Sequence, residues 1–337
     1  MLSEIKENVS LKQYTTFRIG GAARYFLQAE NSDQIIEAVK WADDNGLLFF
    51  ILAGGSNLLV SDKGFKGLAI KVQSDGKAVI LSETKDLKQR DSSLLLRMTQ
   101  DEDKAVIRCE AGVKLSDLVK LSLERGLSGL EWAAGIPQAA VGGAIWGNAG
   151  AFGRNMADVV SEVEAVRVQS SKFKVQSYKN KDCNFGYKNS IFKRNKNLII
   201  LSAVLVLEKK NEEEVKEEVK KVLRYRKEHH PIEPSAGSVF KNEKLKTKNE
   251  KLFSAYPEEM KIFQKKNEVP AGFLIEKCGL AGAKIGGARI SPKHSNFIVN
   301  TAAASAVDVT ALIKLARQKV KEKFGIILEE ELQYIGF

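Results

Sequence analysis

The sequence predicts an α+β fold spread over two or three domains. Short apolar runs and amphipathic runs follow one another irregularly, without the steady strand–helix–strand alternation of a doubly wound parallel sheet. Two neighbouring segments, VEAVRVQ (163–169) and KFKVQSY (172–178), alternate at period two around Ser170-Ser171, which reads as an antiparallel hairpin. The chain has 337 residues, 44% of them hydrophobic, which exceeds one ordinary core and excludes a disordered chain.

The elements follow in order. TTFRIGG (15–21) is extended chain running into a glycine turn. Ser32 is placed to cap a helix over 33–45, with Ile35, Ile36, Val39 and Ala42 on one face and Gly46 beyond its end. LLFFILA (47–53) reads as a buried strand, and it leads into Gly54-Gly55-Ser56-Asn57. Residues 68–72 are a strand, and 73–104 form a polar surface excursion, read as a hairpin. A strand over 105–111 precedes a helix over 114–125 that Gly126 stops. Beyond the 163–178 hairpin, LIILSAVLVLE (198–208) is a long strand. Asn211 and Glu214 open a helix ending at RYRKEHHP, and Pro231 with Pro234 marks a domain boundary. A lysine- and asparagine-rich insert covers 243–268. Pro270 starts a short helix; strands follow around turns over 279–291 and 294–300. Ser305 and Asp308 open an amphipathic helix that Gly325 ends, and 327–336 is a final strand.

The net charge of +11 fits either a polyanion partner or a lysine-rich solvated surface. The lysines are dispersed among glutamates and no nucleic-acid signature accompanies them, so a nucleic-acid partner is not expected. No apolar run approaches the roughly 20 residues that cross a bilayer, and MLSEIKENVSLKQ lacks an apolar signal core. The expectation is a cytoplasmic protein away from membranes. Cys109, Cys183 and Cys278 lie far apart, and with three histidines they offer no metal-binding spacing; they are expected as free thiols.

One stretch, GLEWAAGIPQAAVGGAIWGNAGAFG (129–153), is more than half glycine and alanine and almost uncharged. Regular elements disfavour that composition, since glycine loses the most backbone freedom on folding. It suits either a tight packing junction or backbone laid against a large flat ligand. The GGSN turn at 54–57 exposes consecutive backbone N–H groups and two polar side chains, an arrangement able to nest a pyrophosphate; an ordinary turn reads the same way. It is neither a Rossmann nor a P-loop signature.

Taken together, TTFRIGG, AGGSNLLV, GLEWAAGIP with VGGAIWGNAGAFG, FGYKNSIFK, SAGSVFKN, GLAGAKIGGARIS with KHSNFIVN, and LEEEL resemble the flavin-dependent UDP-N-acetylenolpyruvoylglucosamine reductases, in that family's order and over residues 15–336. The resemblance implies an FAD-binding fold of the vanillyl-alcohol-oxidase (PCMH) type in two lobes, plus a C-terminal α+β substrate domain. The lobes would be 1–72, with 332–337 returning to it, and 73–227; the substrate domain would be 228–331. It implies non-covalent FAD, NADPH as reductant, a UDP-sugar substrate and a monomeric enzyme of peptidoglycan precursor synthesis. No histidine precedes His229, so histidyl attachment of the flavin is not expected. The apparent absence of the tyrosine loop points to the family's second type.

The resemblance also implies roles. Ser238 is similar to the serine that protonates the substrate carbon after hydride transfer, though a serine beside a glycine is otherwise an ordinary turn residue. Glu331 is similar to the C-terminal glutamate, with Glu329 its nearest rival because strand alternation places both on one face. Lys188 stands where the family has arginine, which keeps the charge and loses the two-point grip. For FAD the resemblance implies Gly54, Gly55, Ser56, Asn57, Gly135, Ile136, Pro137, Gly142, Gly143, Asn148, Ala149 and Gly150. For the substrate it implies Tyr187, Lys241 and Asn242. Arg224, Arg226, Lys227 and His229 could meet phosphate or simply complement a helix C-terminus. GIPQAAVGG departs from the family by carrying Gln138 after the proline and one extra residue, so the local turn should be rearranged. The alternatives are another flavin-dependent oxidoreductase of the same fold, which Ser238 and Glu331 argue against, and a basic binding module, supported by charge alone.

Overall fold

The computed structural model describes residues 4–74, 78–81, 94–98, 103–169, 172–245 and 250–337. The chain divides into two compact units, each assembled from separated segments: Met1–Val9, Ala23–Gly54 and Lys66–Arg226 in the first, and Ser10–Ala22, Gly55–Phe65 and Lys227–Phe337 in the second.

The first unit holds two sheets. One has four strands in the order Lys6–Ser10, Ala22–Ala29, Phe65–Val72, Phe49–Leu52, the last two parallel with Phe49 opposite Leu68. The helix Ser32–Asp44 buries Ile35, Val39 and Ala42 as its periodicity predicts, with Ala38 buried and Ile36 only half-buried. Its cap is Asn31, not Ser32: the Asn31 side chain accepts from the Gln34 backbone N–H at 3.0 Å. Ser32 sits one residue too late to hold an extended cap conformation.

The larger sheet runs Lys172–Lys179, Val160–Gln169, Leu198–Lys209, Lys104–Glu110, Leu94–Met98, Ala78–Leu81, with Leu127–Ser128 added on the long Leu198 strand. The expected hairpin is present, Gln169 standing opposite Lys172; Ser170 and Ser171 lie outside the described residues. The excursion at 73–104 departs from its reading. Ala78–Leu81 and Leu94–Met98 pair parallel, Ala78 opposite Leu94, and a parallel pair cannot be a hairpin. The helix Leu115–Arg125 ends as predicted, on Gly126 in the left-handed region (φ 58°).

The second unit is built on an antiparallel sheet in the order Ser235–Ser238, Phe297–Asn300, Ala288–Ile290, Lys284–Ile285. The helix Ala306–Phe324 contributes Val309, Leu312, Ile313, Ala316 and Val320 to its core. The insert at 243–268 is structured where described. Glu243–Lys244 pairs with Glu268–Val269, and the helices Glu250–Ala255 and Pro257–Lys266 between them bury Leu252 and Met260. The final strand is shorter than its alternation predicts: only Gln333–Ile335 is strand, paired parallel with Leu58–Val60. The preceding residues turn aside to bond the 239–241 segment instead.

Candidate active site

In the first unit the glycine- and alanine-rich stretch folds as a series of close backbone approaches. A β-carbon on Gly54 would lie 1.8 Å from the Gln138 carbonyl oxygen; one on Gly150 would lie 2.4 Å from that of Arg154. One on Gly142 would lie 2.8 Å from the Ala111 β-carbon. These glycines are required by packing of the chain against itself. Gly135, Pro137 and Gly143 are exposed, while Ile136 and Ala149 are half-buried. Gln138 takes the left-handed conformation (φ 53°), a locally strained turn at the place where the sequence departs from the family pattern.

Asn148 ties this stretch to the FGYKNSIFK turn. Its Nδ2 donates to the Gly186 carbonyl at 2.9 Å, and its Oδ1 accepts from the Ala157 N–H at 3.0 Å. Gly186 and Asn189 close the turn with paired backbone bonds of 3.0 and 3.2 Å. That turn presents Tyr187, half exposed, and Lys188. Lys188 has φ 52°, and Lys193 Nζ donates to its carbonyl at 3.0 Å. Ser190 Oγ donates to the Trp146 carbonyl at 2.7 Å, a second tie to the same stretch.

Two cations that sequence reasoning did not single out for this role brace the region. Arg226 Nη2 donates to the Trp132 carbonyl at 2.9 Å, its guanidinium lies over the Phe152 ring, and burial lowers its pKa. Lys71 donates to the Ala53 carbonyl, immediately before Gly54. Burial, reinforced by Lys114, brings the Lys71 ammonium down to about 8.

In the second unit, Gly55 (φ 64°) has the Tyr14 carbonyl 2.1 Å from where a β-carbon would stand, and Thr16 N–H donates to the Gly55 carbonyl at 3.1 Å. Ser56 and Asn57 follow, half-buried. Asn57 Nδ2 donates to the Glu331 carbonyl at 3.1 Å, and its own carbonyl accepts from Gln333 N–H at 3.1 Å.

Ser238 ends its strand opposite Phe297, after a register shift between Ser235 and Ser238 and after Gly237 at φ 75°. Such a bulge turns a side chain away from the regular pleat. Glu331 N–H donates to the Val239 carbonyl at 2.8 Å, so the Ser238 and Glu331 segments are hydrogen-bonded neighbours. The three consecutive glutamates separate by partner. Glu329 pairs with Lys241; Glu330 accepts from Arg317 at 2.7 Å and from the Tyr334 hydroxyl. Burial, then Glu330, pushes the Tyr334 phenol above its ordinary range. Asn242 is drawn into the fold: its Nδ2 donates to Glu268 at 2.5 Å, and its Oδ1 accepts from Ala271 N–H at 3.1 Å. Burial holds His294 below the ordinary imidazole range.

The residues assigned to the flavin suit it chemically. Gly54, Gly55, Ser56, Asn57, Gly135, Ile136, Pro137, Gly142, Gly143, Asn148, Ala149 and Gly150 offer amide, hydroxyl and carboxamide groups, with no carboxylate to repel a diphosphate. Among the described residues no group of three or more His, Cys, Asp or Glu is placed to hold a metal ion. No described helix is long and apolar enough to cross a membrane.

Comparison with known proteins follows the same division. Residues 23–171 match the FAD-binding domain family, and residues 228–335 match the C-terminal domain family of UDP-N-acetylenolpyruvoylglucosamine reductase. The chain is 35% identical to the UDP-N-acetylenolpyruvoylglucosamine reductase of Acaryochloris marina over 99% of this chain and 93% of that one. It is 36% identical to that of Caldanaerobacter subterraneus over 98% and 93%. The crystal structure of the Thermus caldophilus enzyme superposes with a TM-score of 0.70 at 32% identity, covering 98% of this chain and 99% of that one. The FAD-binding α+β fold, the ordered motifs and these full-length matches together show that the chain belongs to the UDP-N-acetylenolpyruvoylglucosamine reductase family.

Proposed function

We propose that Ser238, Glu331 and Lys188 carry the acid and charge-stabilising chemistry of this FAD-dependent reductase. It converts UDP-N-acetylenolpyruvoylglucosamine to UDP-N-acetylmuramate for peptidoglycan synthesis. A bound FAD would supply the redox chemistry, carrying a hydride from NADPH to the vinyl carbon of the enolpyruvyl ether. That one hydride and one proton add across the double bond, and NADPH is oxidised to NADP⁺. Hydride addition places enolate character beside the substrate carboxylate. Ser238 supplies the proton to that carbon, and its hydroxyl is re-protonated from solvent. Lys188 sets one positive charge against the developing negative charge, as a point charge in place of the family's planar fork. Glu331 polarises the enolic carboxyl or relays the proton. Tyr187, Lys241 and Asn242 line the substrate, with residues 228–331 as its domain. The twelve residues assigned to the flavin hold it non-covalently, in a monomeric cytoplasmic enzyme.

One observation supports this assignment above the others. The Glu331 N–H to Val239 carbonyl bond puts the segments of the serine and of that glutamate on paired backbone. The test separates the two half-reactions in stopped flow without oxygen. Ser238→Ala is expected to keep flavin reduction by NADPH and to slow reoxidation by the UDP-enolpyruvyl sugar by about 10²-fold or more. Equal loss in both half-reactions would contradict the acid role.

A further inference from the structure

We propose that Asn296 is a positioning residue for Ser238; this rests on Ser238 being the proton donor. Asn296 is 4% exposed, deep enough that each polar atom of its carboxamide needs a partner. Both find one on the same residue. Asn296 Oδ1 accepts from the Phe240 N–H at 2.9 Å, and Asn296 Nδ2 donates to the Phe240 carbonyl at 2.8 Å. The Asn296 backbone carbonyl accepts from the Val239 N–H at 2.8 Å. The side chain therefore imitates one rung of a β-ladder where the strand has ended. It extends the pairing of Ser238 with Phe297 by two residues.

The opposite side of the same segment pairs with the glutamates. Glu331 N–H donates to the Val239 carbonyl, Lys241 N–H donates to the Glu329 carbonyl, and Phe240 bridges Glu330. Residues 239–240 are thus gripped from both sides, by Asn296 on one and Glu329–Glu331 on the other. Ser238 follows a left-handed glycine and a bulge, so little upstream backbone fixes its direction. The Asn296 clamp supplies that constraint from downstream. It touches no reacting group and acts only through the Val239–Phe240 backbone.

The test uses the full FAD-loaded chain. Asn296→Ala is expected to slow reoxidation by the UDP-enolpyruvyl sugar at least about tenfold, a change of about 1.4 kcal/mol in barrier. Flavin content and NADPH reduction should stay within about twofold. Asn296→Asp keeps the acceptor for the Phe240 N–H and loses the donor, so it should fall between wild type and Asn296→Ala. A purely structural role would lower both half-reactions, or flavin content, together, and that result overturns the inference. Normal reoxidation in Asn296→Ala also overturns it, provided Ser238→Ala is slow; if Ser238→Ala is itself unaffected, the proton-donor reading has failed instead. Hydrogen exchange at the Phe240 amide gives an answer that does not depend on a variant folding. In the wild type this amide should be protected like the neighbouring sheet, and exchange at a loop-like rate would refute the clamp.

Discussion

At the scale of single residues, carboxamides do much of the positioning. Asn57, Asn148, Asn242 and Asn296 each hold backbone or a carboxylate distant in sequence. The motifs that contain them were legible, because glycines, prolines and apolar periods mark their surroundings. Their partners were not: Phe240 lies 56 residues from Asn296, and no local pattern encodes such a pairing. The glycines carry the same lesson. Gly54 read as part of a pyrophosphate nest or an ordinary turn, and Gly142 as part of a packing junction or a ligand bed; in the fold both are close-approach positions of the chain itself. Gln138, where the sequence departs from the family pattern, stands in the left-handed region. A side chain in the left-handed region costs about 1–2 kcal/mol, part of which glycine returns through its freer unfolded chain. Gln138→Gly is therefore expected to stabilise the protein by about 0.5–1 kcal/mol net, read as a rise in melting temperature of a few degrees.

Among elements, the amphipathic helices were legible because 3.6-residue periodicity and caps are local signals. The helix Ala306–Phe324 is the clearest case, with its Ser305–Asp308 capping box and Gly325 stop. What the sequence did not disclose is its outside support. Asp62 accepts from the Ala306 N–H at 2.9 Å and from the Val307 N–H at 3.3 Å. Asp308 accepts from Ser305 and Gly287 N–H at 3.0 and 3.2 Å, and these bonds lower its pKa. A depressed carboxyl pKa stabilises the fold above the unfolded value of 3.8, and that contribution is lost as pH falls through the folded value. Melting temperature should thus drop in wild type below about pH 4, and Asp308→Asn should show a shallower drop from a lower plateau. Strand extents were less legible. Parallel pairing of Ala78–Leu81 with Leu94–Met98, and the early end of the Gln333–Ile335 strand, depend on distant partners.

For the whole molecule, the motif order across the chain was enough to indicate fold and chemistry, and the boundary near 227 was read from it, while the grouping of the early segments was not. Segments 10–22 and 55–65 belong with the C-terminal unit. The free thiols report on each unit separately. Cys109 and Cys183 are buried in the first and Cys278 is half-buried in the second. Burial pushes Cys109 and Cys183 up to about 12, so neither is a thiolate near neutral pH. A thiol reagent should label Cys278 first in the native protein, and Cys109 and Cys183 only at the rate of unfolding; fast labelling of three thiols without denaturant would contradict this burial. The parallel pair of Leu58–Val60 with Gln333–Ile335 has a consequence for biosynthesis. Leu58, Leu59 and Val60 leave the ribosome well before the strand that completes their pairing. At roughly 5–20 residues per second, that partner is translated tens of seconds later. Throughout that interval the nascent chain displays an unpaired apolar edge of the kind that holding chaperones recognise. Glu331 lies just before that late strand, so a chain interrupted earlier carries the Gly54–Asn57 turn without this glutamate.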